Sequence, residues 1–398
     1  MGGQSLCQFL TTVRPSYSLT ALSKAMHEET LHYLILASVE GLGCRGVHRL
    51  LNFYKEPAAI LRAPIAELSA QGLPEVVAKM LLSETRRVQA DAELGNCLQN
   101  GVQILTLADP AYPKLLREIF DPPIVLFCKG DIDCLSSHCI SIVGSRRATP
   151  YGINVAEKLA RELAARGLAV CSGLARGIDT AAHRGALEAK GKTVAVLGSG
   201  LNHIYPRENR KLAMQVEAHG CVISEFPMNT SPSPQNFPIR NRIISGLALG
   251  TCLVEAAEFS GSLITGRLAL EQSREVFAVP GNITSKTSFG PNLWIKQGAK
   301  LVQDWQDIVE ELPRTVKEQI LAPLGPRQAG LQPDLFRVVL TGAEKCVLEL
   351  LPSDEAVHID RLLETSHMNS SELLSVLFDL ELKDQIKQLP GKSFVRKF

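Results

Sequence analysis

The segment Asn236-Phe237-Pro238-Ile239-Arg240-Asn241-Arg242-Ile243-Ile244-Ser245 brings one aromatic ring close to two guanidinium groups. Arg240 and Arg242 fall near the start of an expected helix over 241–249. Helix dipoles favour acids there, so both arginines run against local preference. A residue at odds with its local structure often marks function. Phe237 beside these cations could stack a base, which is how single nucleic-acid strands are held. It could equally be a core ring, with the arginines paired to Asp or Glu. Spacing alone leaves both readings open.

A second group of residues suits phosphate. Gly144-Ser145-Arg146, Ser172-Gly173, Gly198-Ser199-Gly200 and Gly261-Ser262 each lie at or just past an apolar run and precede a helix. Small residues let a ligand approach the backbone, and helix N-termini offer free N–H groups to anions. One such loop means little, because every α/β protein needs tight strand-to-helix turns. Four together predict a phosphate-binding rim.

Two glycine patterns do not carry the function their spelling suggests. Gly185, Gly191, Lys192 and Thr193 approach a P-loop, with one residue too many between the glycines, and they precede a strand. A helix end at Gly191 fits better. Gly41-Leu42-Gly43-Cys44-Arg45-Gly46 spells the dinucleotide fingerprint, yet its flanks are helical and no strand precedes it. It reads as a turn between two short helices, which either offers N–H groups to a DNA phosphate or binds nothing.

No catalytic constellation emerges. Asp179 and His183 could share a helix face as an acid–base pair or form a local hydrogen bond near a helix start. Glu225 and Glu255 are the plausible carboxylates at strand ends, and they could simply pair with Arg240 or Arg242. Nine histidines are scattered without metal-ligand spacing. No metal and no cofactor are expected.

The elements that must position these groups lie in a block over residues 121–312. Strands are expected at 140–143, 168–171, 193–197, 221–224, 252–255 and 276–279, alternating with amphipathic helices. Near-continuous apolar strands between helices predict an α/β domain with a doubly wound, Rossmann-like parallel sheet covered on both faces. Ahead of it, residues 29–116 read as a helical domain, and residues 1–28 as a loose extension. Pro313, Pro323, Pro326 and Pro333 mark a linker over 313–334. Residues 335–398 read as three helices and a hairpin about Pro390-Gly391, a winged helix.

Composition narrows the class. The 398 residues are 45% hydrophobic and 21% charged, which excludes a disordered or fibrous chain. With a net charge of +1, a basic surface can only be local. Ten cysteines without a C-x-x-C pair suggest reduced thiols in a cytosol. No run is long and apolar enough for a membrane span, and the N-terminus lacks the pattern of a signal peptide. A soluble, cytoplasmic, multidomain protein is expected, without membrane contact.

The α/β block resembles the DNA-processing protein A (DprA/Smf) family almost continuously. Ile142-Val143-Gly144-Ser145-Arg146, Ser172 through Asp179, Ala182-His183 and Ala195 through Leu201 carry the likeness. So do Ile204 through Asn209, Ser224-Glu225-Phe226-Pro227, Asn236 through Gly246, Gly261 through Thr265, and Val279-Pro280-Gly281. The helical block resembles the SAM-like or helix-hairpin-helix extension of some members. Gln388-Leu389-Pro390-Gly391-Lys392 resembles part of the family's winged helix. Trp294 and Ile295 depart from the usual aliphatic pair, and residues 1–27 have no counterpart.

The resemblance implies what periodicity could not: a single-stranded DNA-binding protein, not an enzyme. Such a protein protects incoming strands and loads the RecA recombinase onto them during natural transformation. It implies a homodimer formed through the α/β domain. Onto this chain it carries a DNA pocket of Arg146 in the Gly144-Ser145-Arg146 loop, Arg207 in the Tyr-Pro-basic segment, and Phe237, Arg240 and Arg242. Ser172, Gly173 and Asn241 are expected to line the same pocket.

Two rival classes remain. Related Rossmann-like folds include nucleotide phosphoribohydrolases, in which Glu225 or Glu255 would act. Their P-G-G-x-G-T loop is absent, and Gly261-Ser262-Leu263 stands in the comparable place. A transcription factor would act through the winged helix. Its expected recognition helix near 370–380 is flanked and occupied by Glu372, Asp379 and Glu381 and holds no arginine, which argues against phosphate contact.

Overall fold

The computed structural model describes residues 19–321, 340–352, 356–383 and 385–396. The chain divides into two compact units, residues 1–94 and 95–398. The first is helical. Its helices span Leu19–Ser38, Gly43–Tyr54, Pro57–Arg62, Ile65–Ala70 and Glu75–Leu81, and a sixth begins at Glu84. Leu34, Leu50, Ile60, Leu68 and Leu81 are buried in it. The first helix starts at Leu19, inside the stretch expected to be a loose extension. Ala21, Leu22, Lys24, Ala25 and Met26 are strong helix formers and extend it.

The second unit is built on a nine-stranded sheet. Its strands are β1 (Gln103–Thr106), β2 (Val125–Gly130), β3 (Cys139–Val143), β4 (Ala169–Ser172), β5 (Thr193–Val196), β6 (Cys221–Ser224), β7 (Gly250–Leu253), β8 (Glu275–Ala278) and β9 (Lys300–Leu301). The spatial order is β1-β2-β6-β5-β4-β3-β7-β8-β9. Strands β3 to β9 run parallel, while β1 and β2 pair antiparallel at one edge. All six expected strands are present. The additions are β1, β2 and β9. β1 falls in the block expected to be helical as far as Leu116, because four residues with two apolar ones, Ile104 and Leu105, are too few for a period that separates strand from helix.

The chain winds outward from β3 to β6 and then returns to β3's other side with β7. This reversal opens a crevice above the carboxyl ends of β3 and β7, where open α/β sheets bind ligands. Helices cover both faces. In Pro150–Ala165, the residues Ala156, Leu159, Ala160 and Leu163 recur at helical spacing and pack on Ile140 and Ile142 of β3. Burying each leucine contributes roughly 1.5–3 kcal/mol. The opposite face is closed by Ile243, Ile244 and Leu247 of the helix Asn236–Leu247 and by Ala269 of the helix Gly261–Glu271.

Part of the expected linker is helix, Arg314–Leu321. Val316 and Ile320, one turn apart, join the core, and Arg314 pairs with Glu318 at 2.7 Å. The rest of that linker, from residue 322, lies outside the described residues. The C-terminal domain has helices Gly342–Glu349, Ile359–Ser366 and Ser370–Leu382, and strands β10 (Val357–His358), β11 (Ile386–Leu389) and β12 (Ser393–Arg396) in the order β10-β12-β11. Three helices ending in a β-hairpin make a winged helix, as its sequence pattern predicts.

Candidate nucleic-acid interface

The helix Asn236–Leu247 starts earlier than expected and sets the site's geometry. Residues three, four and seven positions apart share a helix face. Phe237, Arg240, Asn241 and Ile244 are so spaced, and all four border a cleft of about 1140 Å³. The cleft lies at the sheet's reversal, bounded by Gly144–Arg147 after β3 and Ala257–Ser262 after β7. Arg242 is two positions from Arg240 and cannot share that face. It turns instead to Glu225, at 2.5 Å, and Asp121, at 3.3 Å.

Arg240 borders the cleft from within the wall and is only 3% exposed. Its guanidinium donates to the Gly173 carbonyl at 2.7 Å and to the Val196 carbonyl, and its Nε donates to Asn241 Oδ1 at 3.2 Å. Burial pulls its pKa down to about 10 while Asp179 opposes that shift, so it stays cationic at neutral pH. The tight seat explains Gly173: a side chain there would overlap the guanidinium. Ser172 is buried, and its hydroxyl donates to the Ile142 carbonyl at 2.7 Å. Gly173 therefore seats Arg240, Ser172 ties β4 to β3, and neither lines the cleft.

The cleft's own surface is made by other groups. The Arg146 guanidinium lies over the Phe237 ring, 4.9 Å from its centroid, and Arg240 stands 6.0 Å from it. The Tyr205 ring lies beside Phe237, with centroids 5.8 Å apart. Gly198 makes room for this cluster, since an added Cβ would come within 2.7 Å of Phe237 Cδ1. Arg146, Arg147 and Lys286 are exposed cations on the lining. Ser145 braces the loop: its carbonyl accepts from the Ile178 amide at 3.2 Å and its hydroxyl from the Arg147 amide at 3.1 Å.

The four-loop rim is thus reduced to two. Gly144-Ser145-Arg146 and Gly261-Ser262 border the cleft. Gly198-Ser199-Gly200 is filled by protein, with Phe237 against Gly198 and the Pro227 and Met228 carbonyls against Gly200. Arg207 is exposed, two residues past Tyr205, and stands outside the lining. Sequence reasoning missed Tyr205, Arg147 and Lys286. Tyr205 was visible in the Ile204-Tyr205-Pro206-Arg207 segment, where the basic residue drew the assignment in place of the ring.

The candidate acid–base groups are all otherwise engaged. Asp179 Oδ2 accepts from the Gly173 and Ala175 amides at 3.1 and 3.4 Å, and burial raises its pKa against the pull of Arg240. His183 instead bonds Thr193 Oγ1 at 2.7 Å, and burial lowers its pKa to about 3, so the imidazole is neutral. Glu255 accepts from the Thr149 amide and hydroxyl at 2.9 and 2.5 Å. It ties down the start of the helix Pro150–Ala165. Burial raises the pKa of Glu225 against its Arg242 partner. Neither glutamate borders the cleft.

Fold and site together define a Rossmann-like α/β protein with a cationic, aromatic crevice at its sheet reversal and a winged helix C-terminal to it. The family model for DNA recombination-mediator protein A matches residues 103–313, and the DprA winged helix domain matches residues 332–392. The chain belongs to the DNA recombination-mediator protein A family. It is 41% identical to the DNA processing protein DprA of Bacillus subtilis (strain 168) over 268 residues, covering 66% of this chain and 90% of that one. It is 42% identical to Protein Smf of Escherichia coli (strain K12) over 281 residues, covering 70% and 74%. The X-ray structure of DNA processing protein A from Streptococcus pneumoniae superposes with a TM-score of 0.64 at 36% identity, covering 71% of this chain and 98% of that one.

Proposed function

We propose that this chain binds single-stranded DNA in the sheet-reversal cleft and serves as a recombination mediator. In this reading it protects incoming strands and loads the RecA recombinase onto them during natural transformation, as a cytoplasmic homodimer. It performs no catalytic step. The observation that carries the reading is the Arg146 guanidinium over the Phe237 ring, with Tyr205 alongside. Rings and cations on one open wall suit a strand that offers bases and phosphates together, and ring stacking tolerates any base. Arg146, Phe237 and Asn241, with the Gly144-Ser145 backbone, form the contact surface, and Arg207 flanks it. Arg240, held by Gly173, positions the helix, and Arg242 locks it to Glu225.

The test is fluorescence anisotropy of a labelled single strand and of a duplex of equal length across a salt series. We expect single-strand preference that weakens as salt rises, because phosphate contacts release counterions. Arg146→Ala should weaken binding and flatten the salt dependence. Equal affinity for both DNA forms, or an Arg146→Ala variant indistinguishable from the parent, would overturn the reading. RecA filament growth on a strand already coated with single-strand-binding protein then tests loading.

A further inference from the structure

Besides Phe237, Tyr205 and Phe289, the cleft lining contains an aromatic side chain with almost no protein cover. Phe259 is 93% exposed, on the loop that follows β7. A phenylalanine carries a large apolar surface and no polar handle, and on the wall of a cleft that surface is available to a ligand. We infer that Phe259 is a second base-stacking platform, taking a nucleobase of the same single strand whose other base stacks at Phe237. This rests on the single-strand reading proposed above and adds the path of the strand to it.

Three observations point to a base as the occupant. The ring sits on the lining of a cleft that also carries Arg146, Arg147 and Lys286, cations suited to the phosphates of a strand running between the rings. The neighbouring Glu258 is exposed and repels phosphate, which leaves the base edge of a nucleotide as the favoured part at this position. The order of the sheet also separates the two platforms. Phe237 packs against Gly198, just past β5, and Phe259 follows β7, three ladder steps away. At about 4.8 Å per step the underlying strands are about 14 Å apart. Loops rooted that far apart suit different nucleotides of one strand, with the Arg146 loop between them.

The experiment titrates the full chain with fluorescein-labelled oligo-dT of increasing length, at fixed salt and then across a salt series. Phe259→Ala is compared with the parent. The substitution lies on exposed surface and leaves the core intact. We expect the variant to match the parent on the shortest strand that binds and to bind longer strands about 5- to 100-fold more weakly, the range for removing one stacking ring. Its salt slope should equal the parent's, because no phosphate contact is lost. Phe259→Trp should show indole emission quenched by the longer strands. If the parent binds single strands and Phe259→Ala equals it at every length, with Trp emission unmoved, this inference fails and the proposed function stands. A change in oligomeric state with unaltered DNA binding would assign the ring to a second copy of the chain and also overturn it. Absence of single-strand binding by the parent sinks both readings.

Discussion

Replacing Arg240 with alanine separates a positioning role from a phosphate contact. The side chain is 3% exposed and donates to the Gly173 and Val196 carbonyls and to Asn241. Alanine leaves two buried acceptors without this donor and removes the cation that offsets the burial of Asp179. Losing one member of such a buried set costs on the order of 4 kcal/mol. For a domain of 150–250 residues each kcal/mol shifts Tm by about 2–4 °C, so the expected drop is about 8–16 °C. The DNA readout should behave differently. Each phosphate contact on a single strand adds about 0.7 to the slope of log affinity against log salt, so contacts from Arg146, Arg147 and Lys286 predict a slope of about −2. Arg146→Ala should lower its magnitude to about 1.4 with little change in Tm. Arg240→Ala, measured below its own Tm, should keep the parental slope. Thermal denaturation and salt-dependent anisotropy on the same preparations decide the matter. An Arg240→Ala variant with parental Tm and a shallower slope would refute the positioning role.

Two further predictions test the frame around the site. His183 is neutral in the fold, with a pKa of about 3 against an ordinary 6.5, so the unfolded chain takes up the proton first as pH falls. Its contribution to stability is present above pH 6.5 and lost toward pH 3, about 2 kcal/mol of it by pH 5. Urea unfolding at pH 7.5 and 5 should show a smaller acid loss for His183→Gln, and equal losses would contradict this. Gly198→Ala would place a methyl group 2.7 Å from Phe237 Cδ1. Single-strand affinity should fall with the salt slope unchanged, and unaltered affinity would show that the ring's seat does not matter.

The central strands were legible because each is a short apolar run bounded by glycine, serine or a helix signal. The short edge elements were not: β9 has two residues, and β1 gives no period. The sense of the arginine pair was partly legible. Two residues separated by one position cannot face the same side of a helix, so Arg240 and Arg242 could not both reach one ligand. The spacing of Phe237, Arg240, Asn241 and Ile244 marks the face that borders the cleft. What spacing could not reveal is depth. Arg146 and Arg240 are the same residue type, yet one is exposed and the other is held by carbonyls just past β4 and at the end of β5 that are distant in sequence.

That difference in depth gives a near-neutral chain two distinct uses for arginine. A guanidinium held by carbonyls or carboxylates is spent on position, as Arg240 and Arg242 fix the helix Asn236–Leu247 from opposite sides. Exposed cations on the lining keep their charge available to a polyanion. Position matters here because a stacking ring on a mobile loop would lose its rotamer freedom on binding. Phe237 is already confined by Gly198, Tyr205 and the Arg146 guanidinium. Less ordering then opposes stacking at Phe237, whereas Phe259, with no such cage, must be ordered by the strand itself. Mutating the cage should therefore weaken the first platform without touching a single phosphate contact.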